Sequence, residues 1–158
     1  MTVTIADGGL DDARVQALLA THLAKARAAT AEGFAFALDL SGLLVPEIRF
    51  FSAWDGPALL GVGALKRIAP DHGEVKSMHT AEAARRRGIG AAMLRHIMDV
   101  ARAAGMTRIS LETGTNAYFQ PAVAMYLRHG FVDCGPFGEY AASGENRFLT
   151  RTLDAGQK

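Results

Sequence analysis

The sequence predicts a mixed α/β fold, and three observations lead to that prediction. The hydrophobic period changes several times along the chain, between the alternation typical of strands and the spacing typical of helices. Asp55-Gly56 and the triplet Asp71-His72-Gly73 mark turns between such segments. The chain has 158 residues, of which 49% are hydrophobic, and this is enough for one packed domain over residues 1–158.

In the N-terminal half, apolar and polar residues first alternate, then follow helical spacing and then alternate again. Apolar residues between Val15 and Ala26 recur at helical spacing, whereas residues 30–46 have no clean period. Pro46 should end whatever element precedes it. The predicted elements of this half are a strand at TVTIA, a helix over 10–29, a hairpin with strands at 47–54 and 58–68, and a strand at EVKSMHT.

The C-terminal half begins with the clearest helix. Its apolar stripe runs from Ile89 to Ala101, and Gly105 stands where a helix terminator belongs. The predicted elements of this half are a helix over 88–104, a strand at TRISLET, a short helix over 122–128, and strands from Phe131 onward and over 147–153.

Charge and cysteine content limit the binding partners and the compartment that we expect for this protein. The formal charge of +1 gives no global electrostatic case for binding nucleic acid or an acidic membrane. Cys134 is the only cysteine, which excludes an intrachain disulfide and fits a reducing compartment. The sequence shows no secretory signal, no run of about 18 apolar residues and no histidine cluster with metal-ligand spacing. We therefore expect a cytoplasmic protein that binds no metal, no nucleic acid and no membrane.

The segment RRRGIG, from Arg85 to Gly90, is the strongest functional motif. The first turn of a helix presents unpaired backbone N–H groups and partial positive charge, so a phosphate binds well there. Gly88 and Gly90 lack the Cβ atoms that would hold a pyrophosphate away, and the arginines add charge. A solvated basic loop that merely starts a helix is the alternative that the local pattern leaves open.

Other phosphate motifs do not fit. The spacing G-x-x-x-x-G-K-[ST] of a P-loop is absent. A dinucleotide fingerprint would need a small residue where Met93 stands and a glycine close to a strand end, but residues 80–87 intervene. Glu82 and the alanines that follow it argue against a nucleic-acid-binding segment.

Two motifs together resemble a known family. MHTAEAARRRGIGAAML is similar to the coenzyme A signature of the GNAT superfamily of N-acetyltransferases, with Arg85, Gly88 and Gly90 at its defining positions. AVAMYLRHGF resembles the second signature, a helix that bears Tyr126 and precedes a Gly-Phe pair. LETGTNAYFQPAVAMY with CGPFGEY further resembles a YsnE-like subgroup. The resemblance implies the GNAT fold, a mostly antiparallel mixed sheet that splays at a cofactor cleft and is flanked by helices.

The resemblance also implies where acetyl-CoA binds. In this family the pantetheine arm inserts like a short extra strand, and Met78 and Thr80 would offer it main-chain hydrogen bonds. The pyrophosphate would lie over the amides that open the signature helix. The cofactor-binding residues expected on this basis are Met78, His79, Thr80, Arg85, Arg86, Arg87, Gly88, Ile89, Gly90 and Ala91.

Direct attack of an amine on the thioester calls for a base and an acid, since free amines near pKa 10 are mostly protonated at pH 7. Glu74 is the candidate base, because a subset of the family carries a catalytic glutamate at the start of this strand. His79 and Glu112 are rival bases. Tyr126 is the candidate acid for the departing thiolate, a role that the family often gives to this tyrosine. Structural roles, in a strand start or a core, are the alternatives for each.

Some features depart from the family pattern. Many relatives carry an asparagine where this chain has Phe119, and Asn116 aligns with that position only through a gap, which leaves a pantetheine contact open. Cys134 has no spaced histidine partner, and direct transfer needs no acyl-enzyme, so we expect a structural thiol. Residues 10–46 and 135–145 are expected to form the acceptor pocket. Their neighbourhood contains aromatic residues that point to an apolar or aromatic acceptor or simply to core, namely Phe34, Phe36, Trp54, Phe137 and Tyr140.

The expected function is transfer of an acetyl group from acetyl-CoA to a primary amine of a small molecule or a protein. A non-catalytic acyl-CoA-binding module, in which the cofactor site persists without transfer, is the alternative. The intact glycines, Glu74 and Tyr126 favour catalysis. Since the family is often dimeric, the resemblance leaves a homodimer open.

Overall fold

The computed structural model describes residues 2–30 and 38–153. Its strands are β1 (Thr4–Asp7), β2 (Ile48–Asp55), β3 (Ala58–Ala69), β4 (His72–Thr80), β5 (Arg108–Gly114), β6 (Val132–Cys134) and β7 (Asn146–Thr152). Its helices are α1 (Ala13–Ala29), α2 (Leu40–Leu43), α3 (Ile89–Ala103) and α4 (Gln120–Arg128). Within these described ranges, no helix is both long and apolar enough to span a bilayer.

The ends of the helices follow from local sequence. Asp12 caps α1 by accepting a hydrogen bond from the backbone N–H of Arg14, so the helix begins three residues later than the predicted range 10–29. Pro121 stands in the first turn of α4, where its missing N–H costs no helical hydrogen bond, and α4 begins two residues earlier than predicted. Gly105 follows α3 with a φ of +83°, as expected of a glycine terminator.

One mixed sheet joins the described strands in the order β1-β2-β3-β4-β5-β7-β6. Neighbouring strands are antiparallel at every interface except that between β4 and β5, which run parallel. This arrangement confirms the mostly antiparallel mixed sheet that the sequence predicts.

The parallel strands β4 and β5 pair only at their N-terminal ends. The register joins residues 72–74 with residues 108–110 and stops there. Because β4 continues to Thr80 and β5 to Gly114, the two strands diverge beyond that point. Six residues of β4, at about 3.3 Å each, form an edge about 20 Å long that faces the gap. The predicted splay is therefore present.

Helices cover both faces of the sheet. On one face, α3 and α4 form a large apolar cluster that includes Met93, Ile97 and Tyr126. On the other face, α1 and α2 pack on a smaller cluster around Leu19. A Cβ atom at Gly63 would lie 2.7 Å from Cγ of Met93, so this glycine lets α3 approach β3 closely. The two helical layers flank the gap between β4 and β5.

Candidate functional site

A cavity of about 660 Å³ fills the gap between β4 and β5. Residues 75–80 of β4 line one side and residues 111–114 of β5 line the other. The loop before α3, the first turn of α3 and much of α4 line it from one face of the sheet, and α1 lines it from the other. The cavity therefore reaches both faces of the sheet.

A β-bulge bends β4 where the gap opens. One extra residue of β4, between Lys76 and His79, lies opposite Gly63 of β3. Ser77, within the bulge, has a φ of 56°, which is uncommon for a residue other than glycine. No glycine marks this position, so the sequence carries no signal for the bulge. Beyond it, Met78 packs toward α3 and His79 turns toward α1.

The loop before α3 presents successive backbone N–H groups. Arg86 and Gly88 are both left-handed, with φ values of 65° and 76°, and such turns form concave nests that bind anions. No side chain caps the N-terminus of α3, so its first-turn N–H groups can bind a ligand. Arg85 and Arg86 line the cavity beside them, whereas the exposed Arg87 is not among the lining residues.

The two glycines of RRRGIG differ in structural role. A Cβ atom at Gly88 would meet no atom within 4 Å, so its contribution is the left-handed backbone. A Cβ atom at Gly90 would lie 3.1 Å from Sδ of Met125 and 3.8 Å from Oγ1 of Thr80. Gly90 therefore also allows α3, α4 and β4 to pack closely, a role that the sequence did not indicate.

Glu112 brings a carboxyl group into the cavity from β5. Burial raises the pKa of this half-buried side chain from 4.5 to about 7, and the charge of Glu74 adds to the rise. The Lys76 ammonium and the Asn146 amide lower the pKa of Glu112 and offset part of that rise. A carboxyl group with a pKa near 7 can accept and release a proton at neutral pH.

Glu74, the predicted base, is not among the residues that line the cavity. Its side chain is 4% exposed and accepts hydrogen bonds from Lys76 Nζ at 3.1 Å and from the Tyr140 hydroxyl at 2.5 Å. Lys76 Nζ also donates to the Tyr140 hydroxyl at 2.7 Å. A base must reach the proton it takes, so this geometry favours Glu112, and the assignment to Glu74 stays a prediction.

Only part of this cluster has a local signal in the sequence. Glu74 and Lys76 stand two residues apart on a strand, and this spacing places both on one face. Tyr140 comes from the loop between β6 and β7, 64 residues beyond Lys76, and no local pattern marks that contact.

Tyr126 lines the cavity from α4 and also belongs to the apolar cluster on that face. Its ring centroid lies 5.7 Å from that of Phe131. Burial raises the pKa of Tyr126 above its ordinary value, because the phenolate would lose its hydration. The hydroxyl therefore stays protonated at neutral pH and can donate a hydrogen bond into the cavity.

Two histidines meet where the cavity borders α1. The ring centroids of His22 and His79 lie 5.0 Å apart, and both residues line the cavity. Burial lowers the pKa of each to about 4. Both rings are therefore neutral at pH 7. A base with so low a pKa binds protons weakly, so His79 is less suited than Glu112 to take a proton from an ammonium group.

Most aromatic residues proposed for an acceptor pocket lie elsewhere. Trp54 donates a hydrogen bond to Ser52 and is covered by the guanidinium of Arg14. Phe137 packs on Tyr140, and neither lines the cavity. Phe34 and Phe36 fall outside the described residues.

The segment after β5 also lines the cavity. The ring of Phe119 lines the cavity and fills the space beside Gly114, where a Cβ atom would lie 2.2 Å from it. Asn116 donates a hydrogen bond through Nδ2 to the carbonyl of Ala29 at the end of α1. Asn116 is not among the cavity-lining residues, so it ties the segment to α1 instead.

Metal ligands and the thiol of Cys134 are the other groups that could bring chemistry to this site. Within the described part of the chain, no group of three or more His, Cys, Asp or Glu residues is placed to hold a metal ion. Cys134 lies on β6 and is not among the cavity-lining residues.

Comparison with known proteins decides the family. The model of the acetyltransferase (GNAT) family matches residues 18–131. The chain belongs to the GNAT family. It is 43% identical over 150 residues to the uncharacterized N-acetyltransferase YedL of Escherichia coli K12, and the match covers 95% of this chain and 94% of the relative. It is 44% identical over 117 residues to the uncharacterized N-acetyltransferase YsnE of Bacillus subtilis 168, covering 74% and 78%. These relatives confirm the YsnE-like resemblance.

A third relative has a named substrate. The chain is 41% identical over 120 residues to an IAA acetyltransferase of Azospirillum brasilense, and the match covers 73% of this chain and 75% of that protein.

Solved structures confirm the GNAT fold. A Klebsiella pneumoniae protein, provisionally assigned as an acyl-CoA N-acyltransferase, superposes with a TM-score of 0.81 at 25% identity, covering 97% of this chain and 99% of that one. An acetyltransferase of Bacillus subtilis, solved in complex with CoA, superposes with a TM-score of 0.71 at 18% identity, covering 96% and 99%.

Proposed function

We propose that this GNAT protein transfers the acetyl group of acetyl-CoA to a primary amine of a small molecule or a protein by direct attack. One observation carries the proposal. A single cavity joins the open edge of β4, the N–H groups before α3, Glu112 and Tyr126. An acyl donor entering from the α3 face and an amine entering from the α1 face would meet in the gap between the strands.

The residues present fit the pyrophosphate and the pantetheine arm of coenzyme A. The left-handed Arg86 and Gly88, with the uncapped first turn of α3, provide N–H groups for a pyrophosphate. The divergence of β4 from β5 exposes backbone donors and acceptors at residues 75–80 to a ligand that pairs like a strand. The contacts predicted at residues 78–80 and 85–91 form this site in our proposal, with Arg87 acting through its charge from the exposed loop.

Glu112 would act as the base. Bound acetyl-CoA supplies the activated acyl group. Glu112 takes the proton that the amine loses as the nitrogen bonds to the acyl carbon and the carbon–sulfur bond breaks, either directly or through one water. A pKa of about 7 suits this exchange, because the group is largely ionised at slightly alkaline pH and has a higher proton affinity than an ordinary carboxylate.

Tyr126 would act at the sulfur. It donates the proton that the departing sulfur gains, and its position on α4 places it on the face from which the acyl donor enters. Because burial raises its pKa, the hydroxyl is a weaker acid than tyrosine in water. Its hydrogen bond therefore stabilises the developing thiolate before the proton is transferred to the sulfur.

The relatives support acetyl transfer but do not fix the acceptor of this chain. Two are described as N-acetyltransferases and a third as an IAA acetyltransferase, and two structural neighbours are solved in complex with CoA. His22, Lys76 and Glu145 are polar side chains on the cavity walls. They can form hydrogen bonds with a polar acceptor, which is less costly than burying them against an apolar one.

The test is release of free coenzyme A from acetyl-CoA in the presence of a panel of primary amines, with the acetylated product identified by mass. Calorimetric titration with acetyl-CoA gives the binding step separately. Release of coenzyme A together with an acetylated amine is the expected result. Binding without release for any amine would favour the non-catalytic acyl-CoA-binding module, and the absence of binding would refute both functions.

A further inference from the structure

Lys76 is a nearly buried cation at the cavity that the steps above do not use. Its side chain is 9% exposed, and the residue lines the cavity from β4. Burying an ammonium group is costly unless it is paired and hydrogen-bonded. A lysine at this position therefore needs partners that offset the cost of its burial.

Two partners hold the Lys76 ammonium in place. Glu74 Oε2 lies 3.1 Å from Nζ, and the Tyr140 hydroxyl lies 2.7 Å from it. Tyr140 in turn donates to Glu74 at 2.5 Å, which closes a three-membered cluster. Because Tyr140 comes from the loop between β6 and β7, the position of the ammonium depends on two separate parts of the fold.

Lys76 and Glu112 lie on the same face of the sheet, on opposite sides of the gap. Glu74 is in register with Ser110, and residues two positions further along each strand point to that same face. These residues are Lys76 and Glu112, and both line the cavity.

We propose that Lys76, fixed by Glu74 and Tyr140, is a positioning residue that keeps the Glu112 carboxylate ionised while the amine binds. This role rests on the proposed function, because it matters only if Glu112 takes a proton from the acceptor.

The charged groups around Glu112 act with opposite signs. Lys76 lowers the pKa of Glu112, whereas burial and the charge of Glu74 raise it. Lys76 influences this pKa more strongly than Glu74 does, so the pair together favours the ionised form. Asn146 of β7 and Tyr140 of the β6–β7 loop also interact with Glu112. The other titratable side chains that line the cavity are His22, His79, Arg85, Arg86, Tyr118, Tyr126, Arg128 and Glu145.

The direct test is titration of the Glu112 carboxyl group by carbon-detected NMR, with its signal assigned by its loss in Glu112→Gln. Lys76→Met should raise the Glu112 pKa by about one unit, as expected for removal of a nearby opposite charge. Lys76→Arg keeps the charge and should leave the pKa near its wild-type value. A Glu112 pKa that is the same in wild type and folded Lys76→Met would overturn the proposal.

Paired charge removal guards against a folding defect. Lys76→Met leaves Glu74 buried without its cation, so the second variant is Glu74→Gln/Lys76→Met, which removes both charges. This double variant should raise the Glu112 pKa by a smaller amount than Lys76→Met alone. Glu74→Gln alone should lower it. No rise in the double variant would also overturn the proposal.

The pH dependence of kcat/KM separates this inference from the proposed function. The acidic limb of this pH profile should move with the Glu112 pKa in each variant. The profile is measured with two acceptors of different amine pKa, because a limb that belongs to the enzyme stays in place when the acceptor changes. A wild-type protein that acetylates no amine would overturn the proposed function and this role with it. Turnover with an unmoved limb in Lys76→Met would overturn this role alone.

Discussion

Replacing Glu112 by Gln is expected to slow acetyl transfer and to stabilise the fold. Both effects follow from one half-buried carboxyl group whose pKa is raised to about 7. The amide keeps nearly the same shape but cannot take a proton. At pH 8 we expect kcat to fall by about 10²- to 10⁴-fold, the usual contribution of a general base, while acetyl-CoA affinity stays close to that of wild type.

The gain in stability can be worked from the pKa. The folded state binds the Glu112 proton more tightly than the unfolded state, so the contribution of Glu112 to the free energy of unfolding is greatest below pH 4.5 and is lost as the pH rises through about 7. At 1.36 kcal/mol for each pKa unit, the full shift corresponds to about 3 kcal/mol. Since part of the side chain is exposed to solvent, we expect about 2 kcal/mol. Glu112→Gln lacks this penalty, so its advantage over wild type should appear at pH 8 and vanish near pH 4.

Urea unfolding of both proteins at pH 4.5 and pH 8 measures the effect. Glu47→Gln is the matched control, because Glu47 is exposed and does not line the cavity between β4 and β5. The control should show the same free energy of unfolding as wild type at both pH values. If Glu112→Gln differs from wild type by the same amount at pH 4.5 and pH 8, the carboxyl group does not titrate as described, and the argument for its role as the base fails.

Three further substitutions test other parts of the site. Gly88→Val should lower the affinity for acetyl-CoA by at least about tenfold in calorimetry while the protein stays folded, because a branched side chain disfavours the φ of +76° and crowds the phosphate position. Unchanged affinity would argue against a pyrophosphate at that position. Tyr126→Phe should keep the affinity for acetyl-CoA and lower kcat by about 10²-fold at every pH at which wild-type Tyr126 is protonated. A fall in kcat confined to low pH would contradict the role of Tyr126 as a donor. Gly114→Ala should destabilise the fold by about 1–3 kcal/mol in urea unfolding, because its Cβ atom would lie 2.2 Å from the Phe119 ring; wild-type stability would show that the ring moves aside freely.

Local sequence predicted the elements and the loop that opens α3. The strand and helix periods placed β2 through β5 and α3 within about two residues of their observed bounds, because alternation and helical spacing reflect which side of each element is buried. RRRGIG predicted a helix N-terminus with a glycine before it, and the left-handed φ of Gly88 fits that prediction. These features depend on residues close together in the chain.

The sequence alone determined the family, the order of the elements and the segment that opens α3, since each is encoded by neighbouring residues. Tertiary structure decided the choice between the two carboxyl groups. Glu74 and Glu112 each stand in a predicted strand, but Glu74 meets Tyr140 from a loop 66 residues away and is covered, whereas Glu112 stands where β5 leaves its partner. The physical reason is that the proton affinity and accessibility of a carboxyl group depend on burial and on charges brought in from distant parts of the chain, and only packing sets these.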